Sequence, residues 1–407
     1  MRSLRIWSRH APACLVLLLL GACGGGAGSG ASTGGPTALP SGPNVAPIIV
    51  DSGPAGTVNT PFVSVTLCVP GTATCQTIDH VLVDTASSGL RIVASVIDPM
   101  LTLPAAVDGA GNPLAECVQF ADGYSFGSVK LADIKIAEEQ ASNLDVHIIG
   151  DAAFGSVPAD CSNIGPPENT VQTLGANGIL GLSVFREDCG TACAGAAIPA
   201  TYYSCPAMGC QSASVALASQ VQNPVWRFPT NNNGVIVVLR NVDPAGAALV
   251  AGALVFGIDT QSNNGLGSAT VLTVNPATAS FTTIYKGQSL PASFVDSGSN
   301  GLFFTDNSLT VCTGSIAPGF YCPTSLQSLS ATLQSATGVS KNVAFNVANA
   351  ESLLANNVTY VAFANLAGTS PFPATFDWGL PFFYGRTVFV AIEGQNTSSG
   401  LGPFVAY

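Results

Sequence analysis

The chain contains one short segment twice, at widely separated positions. Residues 81–90 read VLVDTASSGL and residues 293–302 read SFVDSGSNGL. When the two are aligned on Asp84 and Asp296, Val, Asp, Ser, Gly and Leu recur at matching positions. In each copy an apolar run leads into the acidic residue, and small residues follow it. A repeat built around an acidic residue predicts two related lobes that each contribute one carboxylate to a shared site.

The composition favours an all-β globular fold. Only 9% of the residues are charged and 47% are hydrophobic, while 44 Gly and 27 Pro supply abundant turns. From about residue 45 onward, short apolar runs alternate with turn residues, which predicts strands. The clearest predicted strands are 61–69, 78–84, 90–96, 128–136, 144–149, 175–182, 234–239, 254–258, 342–347, 358–363 and 387–392. Two helices are predicted, at 212–221 and 326–337.

The N-terminus predicts an exported, lipid-anchored protein. Arg2, Arg5 and Arg9 precede an apolar run at 14–20, as in a secretory leader. The run ends in LGAC, which resembles the lipobox of bacterial lipoproteins, and the resemblance implies cleavage before Cys23 and a lipid on its thiol. The protein would then be held at the bacterial cell envelope, on the periplasmic face or the outer membrane. The alternatives are an ordinary secretory leader and a single membrane anchor.

These patterns divide the chain into four parts. We predict a signal peptide at 1–22, a flexible Gly-rich tether at 23–44, an N-terminal lobe at 45–240 and a C-terminal lobe at 241–407.

The remaining cysteines predict a set of disulfides. When Cys14 in the leader and Cys23 are set aside, an even number of cysteines is left. In the oxidising environment outside the cytoplasm, such cysteines form disulfides. Cys68–Cys75 and Cys312–Cys322 are the surest pairs by proximity. A zinc site among the four cysteines at 189–210 is the rival, but its spacings are loose and we predict no metal. The ten cysteines expected in five disulfides are Cys68, Cys75, Cys117, Cys161, Cys189, Cys193, Cys205, Cys210, Cys312 and Cys322.

Five segments resemble segments of the pepsin-like aspartic peptidases and follow the same order along the chain. Residues 84–87 (DTAS) and 296–299 (DSGS) match the two catalytic motifs of that family. Residues 177–182 (NGILGL), 254–259 (LVFGID) and 378–383 (WGLPFF) resemble its supporting segments. The likeness covers most of residues 45–407, and lipid-anchored bacterial proteins of uncharacterised function carry similar motifs. It implies a bilobal, all-β fold of two related barrel-like lobes with a few short helices.

The resemblance also implies a mechanism. Asp84 and Asp296 would share one proton and activate a water molecule that attacks a peptide bond. The residues expected to support the two carboxylates are Thr85, Ser87, Ser297, Gly298 and Ser299. A hairpin flap would carry Phe120 or Tyr124 over the cleft.

Three departures from the family pattern weaken the case for catalysis. Ala86 stands where the first motif has glycine, Phe120 stands where a hydrogen-bonding tyrosine is expected, and Asp377 interrupts the apolar pair before Gly379. The function prediction is therefore an envelope aspartic endopeptidase acting on polypeptides. The alternatives are a non-catalytic peptide- or protein-binding module and a purely structural surface lipoprotein on the same fold.

Other chemistries have little support. The 12 basic residues face 23 acidic ones, so nucleic acid is not an expected partner. His80 lies about 13 Å along an extended strand from Asp84, too far for a Ser-His-Asp arrangement. We place both His80 and His147 on half-exposed strand faces and expect no cofactor. Asp51-Ser52-Gly53 repeats the motif letters without an apolar strand after them, so we interpret it as a turn.

The leader makes one prediction of its own. Replacing Cys23 with alanine removes the thiol that would be lipidated, so Cys23→Ala should leave unlipidated precursor or soluble protein. Intact mass and membrane partitioning measure this. An unchanged mass and unchanged partitioning would contradict the lipoprotein interpretation.

Overall fold

The structure is a computed structural model that describes residues 38–154 and 156–407. The predicted signal peptide, Cys23 and most of the tether lie outside these residues. Within residues 38–154 and 156–407, no helix has the length and apolar character needed to cross a membrane.

Strands dominate the first part of the chain. They are β1 (Val45–Val50), β2 (Pro61–Cys68), β3 (Cys75–Asp84), β4 (Ser88–Val93), β5 (Leu114–Gln119), β6 (Tyr124–Ile136), β7 (Glu139–Ile149), β8 (Gly178–Leu182), β9 (Tyr202–Ser204), β10 (Gln211–Ser212) and β11 (Gly234–Leu239). The helices are short: α1 (Ala159–Ser162), α2 (Val171–Leu174), α3 (Thr191–Gly195) and the 3-10 turns Ala94–Val96, Leu217–Ser219 and Pro224–Arg227.

The second part follows the same plan. Its strands are β12 (Val250–Phe256), β13 (Val271–Thr273), β14 (Phe281–Tyr285), β15 (Gln288–Val295), β16 (Leu302–Phe303), β17 (Gln327–Gln334), β18 (Ser340–Val347), β19 (Ala367–Gly368), β20 (Asp377–Trp378), β21 (Thr387–Ala391), β22 (Asn396–Thr397), β23 (Gly400–Leu401) and β24 (Phe404–Ala406). Its helices are α4 (Ala350–Asn356) and α5 (Leu380–Phe383).

One long sheet connects the two lobes. Its 15 strands run in the order β10-β9-β5-β6-β7-β4-β8-β3-β2-β1-β12-β11-β21-β24-β13. The join is the antiparallel pair β1–β12, in register from Val45 opposite Val255 to Val50 opposite Val250. Strand β11 (GVIVVL) is buried along its whole length, as expected for a strand covered on both faces. The rest of the second lobe forms a separate 7-stranded sheet. This mostly-β, two-lobed architecture confirms the predicted fold class.

Aromatic side chains fill the core of the second lobe. The ring of Phe376 stacks on Phe304 at 4.6 Å and on Trp378 at 4.1 Å between centroids. All three side chains are buried, and burying each contributes about 1.5–3 kcal/mol. This packing holds β20 in place, and β20 leads directly to the candidate site.

Both predicted helices are wrong. Residues 327–334 form strand β17, because Ala331 and Leu333 are buried while Ser328 and Ser330 are exposed, the two-residue period of a strand. Residues 213–221 form loop with only a 3-10 turn, Leu217–Ser219, and the Gln220 amide donates to loop carbonyls of Gly190 and Val215.

One predicted strand is also wrong. Residues 358–363 form a turn and an isolated bridge between Ala362 and Ala247. Here the backbone is held by Asn59, whose side chain accepts from the Phe363 N–H at 2.7 Å and donates to the Phe363 carbonyl at 2.9 Å. The side chain of Asn59 therefore supplies the backbone hydrogen bonds that a neighbouring strand would otherwise make.

The five predicted disulfides are confirmed. The bonded pairs are Cys68–Cys75, Cys117–Cys161, Cys189–Cys193, Cys205–Cys210 and Cys312–Cys322. The four cysteines at 189–210, considered above as a zinc site, form two of these disulfides. Cys117–Cys161 is the pair with the longest separation, 44 residues, and it ties β5 to α1.

Loss of a disulfide should destabilise the protein more when the loop it closes is longer, with a logarithmic dependence on loop length. Removing Cys117–Cys161 with the double variant C117S/C161S should cost about 4 kcal/mol of unfolding free energy by the chain-entropy estimate. The matched control is C189S/C193S, which opens a loop of separation 4 and should cost about 2 kcal/mol. Denaturant unfolding of both variants gives the comparison. Equal losses would show that loop entropy does not set the contribution.

Candidate active site

The first aspartate lies where three strands meet. Asp84 ends β3, and Ser88 begins β4 after a three-residue loop. Strand β8 lies between them, pairing in parallel with β3 (Asp84 opposite Gly181) and antiparallel with β4 (Gly89 opposite Gly181). A Cβ atom at Gly181 would lie 2.8 Å from the Ser87 carbonyl oxygen. Glycine is therefore required beneath this loop.

The second aspartate repeats this arrangement. Asp296 follows β15, and β20 lies between β15 and β16, parallel to the first and antiparallel to the second. A Cβ at Gly379 would lie 2.0 Å from the Gly301 carbonyl oxygen and 2.7 Å from that of Ser299. Gly379 is thus the counterpart of Gly181. The internal repeat in the sequence corresponds to a repeat in structure.

Crossed hydrogen bonds join the two loops. The Ser297 N–H donates to Thr85 Oγ1 at 3.0 Å, and the Thr85 N–H donates to Ser297 Oγ at 3.2 Å. Each hydroxyl then donates to the opposite strand: Ser297 Oγ to the Val83 carbonyl at 2.6 Å and Thr85 Oγ1 to the Val295 carbonyl at 3.3 Å. Because these groups are buried, the four bonds fix the two loops against each other.

Each carboxyl group is held by its own loop. Asp84 Oδ1 accepts from the Ala86 N–H at 2.9 Å and Oδ2 from the Ser87 hydroxyl at 2.6 Å. Asp296 Oδ1 accepts from the Gly298 N–H at 2.7 Å, and Oδ2 accepts from the Ser299 hydroxyl at 2.8 Å. The two carboxyl groups also share a hydrogen bond with each other. The structure therefore brings together the two aspartates and all five predicted supporting residues; the catalytic and supporting roles stay predictions.

The electrostatics of the pair favour a shared proton. Both aspartates have 0% of their surface exposed. Burial raises the pKa of Asp296 well above its usual range, and the adjacent charge of Asp84 raises it further. An arrangement of this kind can hold one proton between two carboxyl groups. It can therefore present an acid and a base side by side.

The two loops differ at the residue after the Asp-Thr/Ser pair. A Cβ at Gly298 would lie 2.9 Å from the Asp84 Cγ and 3.1 Å from Asp296 Oδ1. Ala86, at the matching position, is accommodated: it lines the cleft, and its N–H donates to Asp84 as a glycine N–H would. The methyl group of Ala86 therefore leaves the hydrogen bonding of Asp84 intact.

The predicted flap residues belong to a hairpin formed by β5 and β6. Phe120 is 3% exposed and packs with Phe62, Leu82 and Ile179, whereas Tyr124 is 6% exposed and packs near the Cys117–Cys161 disulfide. Neither side chain lines the cleft. Their role as a cap over the cleft stays a prediction.

A cleft of about 1010 Å³ begins at the first aspartate loop. Ala86, Ser87 and residues 116–119 of β5 line it. Residues 276–278 of the second lobe line it as well. A cleft of this size, open to both lobes, is large enough for several residues of an extended polypeptide.

A buried ionic cluster, three of whose members line the cleft, was missed from the sequence. Arg91 Nη2 lies 2.6 Å from Glu116 Oε1 and 3.3 Å from Asp188 Oδ2, and Arg91 Nη1 donates to the Ser88 carbonyl at 2.6 Å. His147 is wholly buried 3.1 Å from Glu116, so its expected place on a half-exposed face was wrong. Charged residues scattered over four segments gave no sequence signal. Through the bond from Arg91 to Ser88, the cluster stabilises β4, the strand that follows the Asp84 loop.

The segment with the same motif letters lies apart from the site. Asp51 Oδ2 is 3.2 Å from His80 Nε2, and the Gly53 N–H donates to Asp51 Oδ1 within a turn. His80 is partly exposed, as expected. Neither Asp51 nor His80 lines the cleft.

The fold is pepsin-like. The structure is similar to the crystal structure of an aspartic proteinase from Irpex lacteus, with a TM-score of 0.52, 14% sequence identity, and coverage of 89% of this chain and 96% of that chain. At this identity the likeness shows the fold alone. The chain belongs to the family described as "Protein of unknown function (DUF3443)", which matches residues 40–407. No curated protein matches the sequence.

The crowding at Gly298 makes a prediction. In Gly298→Ala, the added methyl group must displace Asp84 or its own loop, and overpacking of this kind costs about 1–3 kcal/mol. Ala86→Gly adds no atoms and should change the unfolding free energy by less than about 1 kcal/mol. Chemical denaturation measures both. Equal stability of the two variants would show that the interface yields to an added methyl group.

Proposed function

We propose that this protein is an aspartic endopeptidase. The observation that carries the proposal is the pair of mutually hydrogen-bonded carboxyl groups, each held by at least one main-chain N–H and one serine hydroxyl, beside a large cleft. Its substrate would be a polypeptide bound in extended form between the lobes. Lipid anchoring through Cys23 at the bacterial envelope, and the division into lobes near residue 240, belong to the same proposal.

The chemistry follows from the one shared proton. The ionised carboxylate takes a proton from a water molecule, whose oxygen attacks the scissile carbonyl carbon. The protonated carboxyl donates to the carbonyl oxygen as charge develops on it. Transfer of a proton to the leaving nitrogen then breaks the C–N bond and returns the pair to its starting state. The main-chain N–H groups of Ala86 and Gly298 keep both carboxyl groups aligned throughout.

Access to the pair requires movement. Because Asp84 and Asp296 are fully buried, a substrate carbonyl reaches them only after part of the cleft wall moves. The β5–β6 hairpin is the element placed for that movement, since Val118 and Gln119 line the cleft and Ala121 at its tip packs against the second lobe. Closure around a bound substrate would also exclude bulk water.

The same burial favours one alternative function. A dyad that stays closed, beside the Ala86 methyl group, would leave a polypeptide-binding cleft without cleavage. This second candidate is a non-catalytic binding protein of the cell envelope on the same fold.

Cleavage of a denatured protein pool tests the proposal. Asp84→Asn and Asp296→Asn should each lower the rate by at least about 100-fold, because each removes one member of the acid–base pair. The raised pKa of Asp296 keeps the singly protonated pair populated above the usual carboxyl range. Activity should therefore extend from acidic toward neutral pH and fall as the pair loses its shared proton.

Asp51→Asn is the matched control. It changes an aspartate within the same three motif letters but away from the cleft, so it should cleave like the native protein. If the folded, disulfide-bonded native protein cleaves nothing between acidic and neutral pH yet binds the unfolded polypeptides, the binding protein is the correct assignment.

A further inference from the structure

A third carboxyl group lies next to the pair. Asp377, on β20, is fully buried, and its Oδ2 lies 2.7 Å from the Ser299 hydroxyl. The same hydroxyl lies 2.8 Å from Asp296 Oδ2. Ser299 therefore stands between two acids. The other carboxyl oxygen of Asp377, Oδ1, has no hydrogen-bond partner among the described residues.

The proton count of a serine hydroxyl constrains this arrangement. A hydroxyl carries one proton and donates to one acceptor at a time, while its oxygen also accepts. Two ionised carboxylate oxygens within 2.8 Å would compete for that one proton, and one of them would face the hydroxyl oxygen without a proton between them. One of the two acids must therefore donate to Ser299.

The surroundings select Asp377 as that donor. Asp296 Oδ1 already accepts from two main-chain N–H groups, those of Gly298 and Ser299, which stabilise an ionised carboxylate. Asp377 has no such support: among the described residues, the charged groups acting on it are the acids Asp296 and Asp84. Burial and these two charges hold the pKa of Asp377 well above its usual range.

The first lobe lacks this feature. Two residues before Gly379 is Asp377, and two residues before its counterpart Gly181 is Ile179, which is fully buried. Residues 377 and 179 also hold equivalent strand registers, opposite Phe294 and Leu82 respectively. The internal repeat therefore shows that an apolar residue is accommodated at this position. Asp377 adds a buried acid on one side of the pair only.

We propose that Asp377 is a positioning residue, a neutral carboxylic acid that donates a hydrogen bond to Ser299 and thereby fixes the Ser299 hydroxyl as a donor to Asp296. The inference rests on the proposed peptidase function for its kinetic consequence, and on geometry alone for its protonation state. When Asp377 ionises at higher pH, Ser299 turns toward it and Asp296 loses a donor. Two proton losses then disable the site instead of one.

Infrared spectroscopy tests the protonation state without any assay of activity. A protonated carboxyl group has a C=O stretching band distinct from that of a carboxylate. At neutral pH, the native protein should show a protonated-carboxyl band from Asp377 that is absent from Asp377→Asn. Asp296→Asn then identifies the part of the signal that comes from the Asp84–Asp296 pair. The amide is isosteric and still donates to Ser299, so this variant should fold. If the protonated band at neutral pH is unchanged in Asp377→Asn, the proposal is wrong.

Kinetics test the positioning role. The alkaline limb of log kcat/KM against pH should approach a slope of two in the native protein and of one in Asp377→Asn, whose amide still donates to Ser299 but does not titrate. Asp377→Ile, which copies the residue at 179, should lower kcat by about tenfold with KM little changed. Equal slopes in native protein and Asp377→Asn would overturn the role. If no variant cleaves, the proposed function fails, and the infrared result still decides the state of Asp377.

Discussion

The burial of two carboxyl groups side by side is the constraint on which the rest of this structure depends. Such a pair is unstable unless its oxygens are hydrogen-bonded and its net charge is limited to one. Both conditions require two loops held at fixed separation, which the crossed bonds of Thr85 and Ser297 provide. Those bonds in turn require close backbone approach, and Gly181 and Gly379 allow it. The long sheet also connects the two lobes, through the pairing of β1 with β12.

The two lobes support equivalent loops by different means. Four of the five disulfides and the buried Arg91–Glu116–Asp188 cluster lie in the first lobe. The second lobe relies on the aromatic stack that ends at Trp378 and has the single disulfide Cys312–Cys322. A buried ionic cluster fixes geometry at a cost in desolvation, whereas stacked rings gain from burial. The wall beside the cleft is thus ionic, and the support behind Asp296 is apolar except at Asp377.

The sequence predicted the features that depend on short patterns. The repeat around Asp84 and Asp296 predicted that two loops meet, and the cysteine spacing predicted the disulfides. It did not predict strand β17, because Leu329, Ala331 and Leu333 satisfy both a two-residue and a helical period in part, and pairing with β14 decides between them. The Arg91 cluster draws on segments far apart in the chain, so only the fold reveals it. Asp377 was visible as a break in an apolar pattern, but its contact with Ser299 was not.

The buried acids also affect how the stability of the fold depends on pH. Asp296 and Asp377 have folded pKa values above their unfolded ones, so their contribution is complete below about pH 4 and is lost as pH rises through the folded values. Asp306, paired with Lys286 at 2.8 Å, has a lowered pKa because of that pairing and its hydrogen bonds, although burial opposes the shift. Its contribution is present above about pH 4 and is lost as pH falls through its folded value. The two trends have opposite signs: the acids buried at the dyad contribute less as the pH rises, whereas the Asp306–Lys286 pair contributes less as the pH falls. The burial that brings the carboxyl groups together thus makes the stability of the fold depend on their protonation.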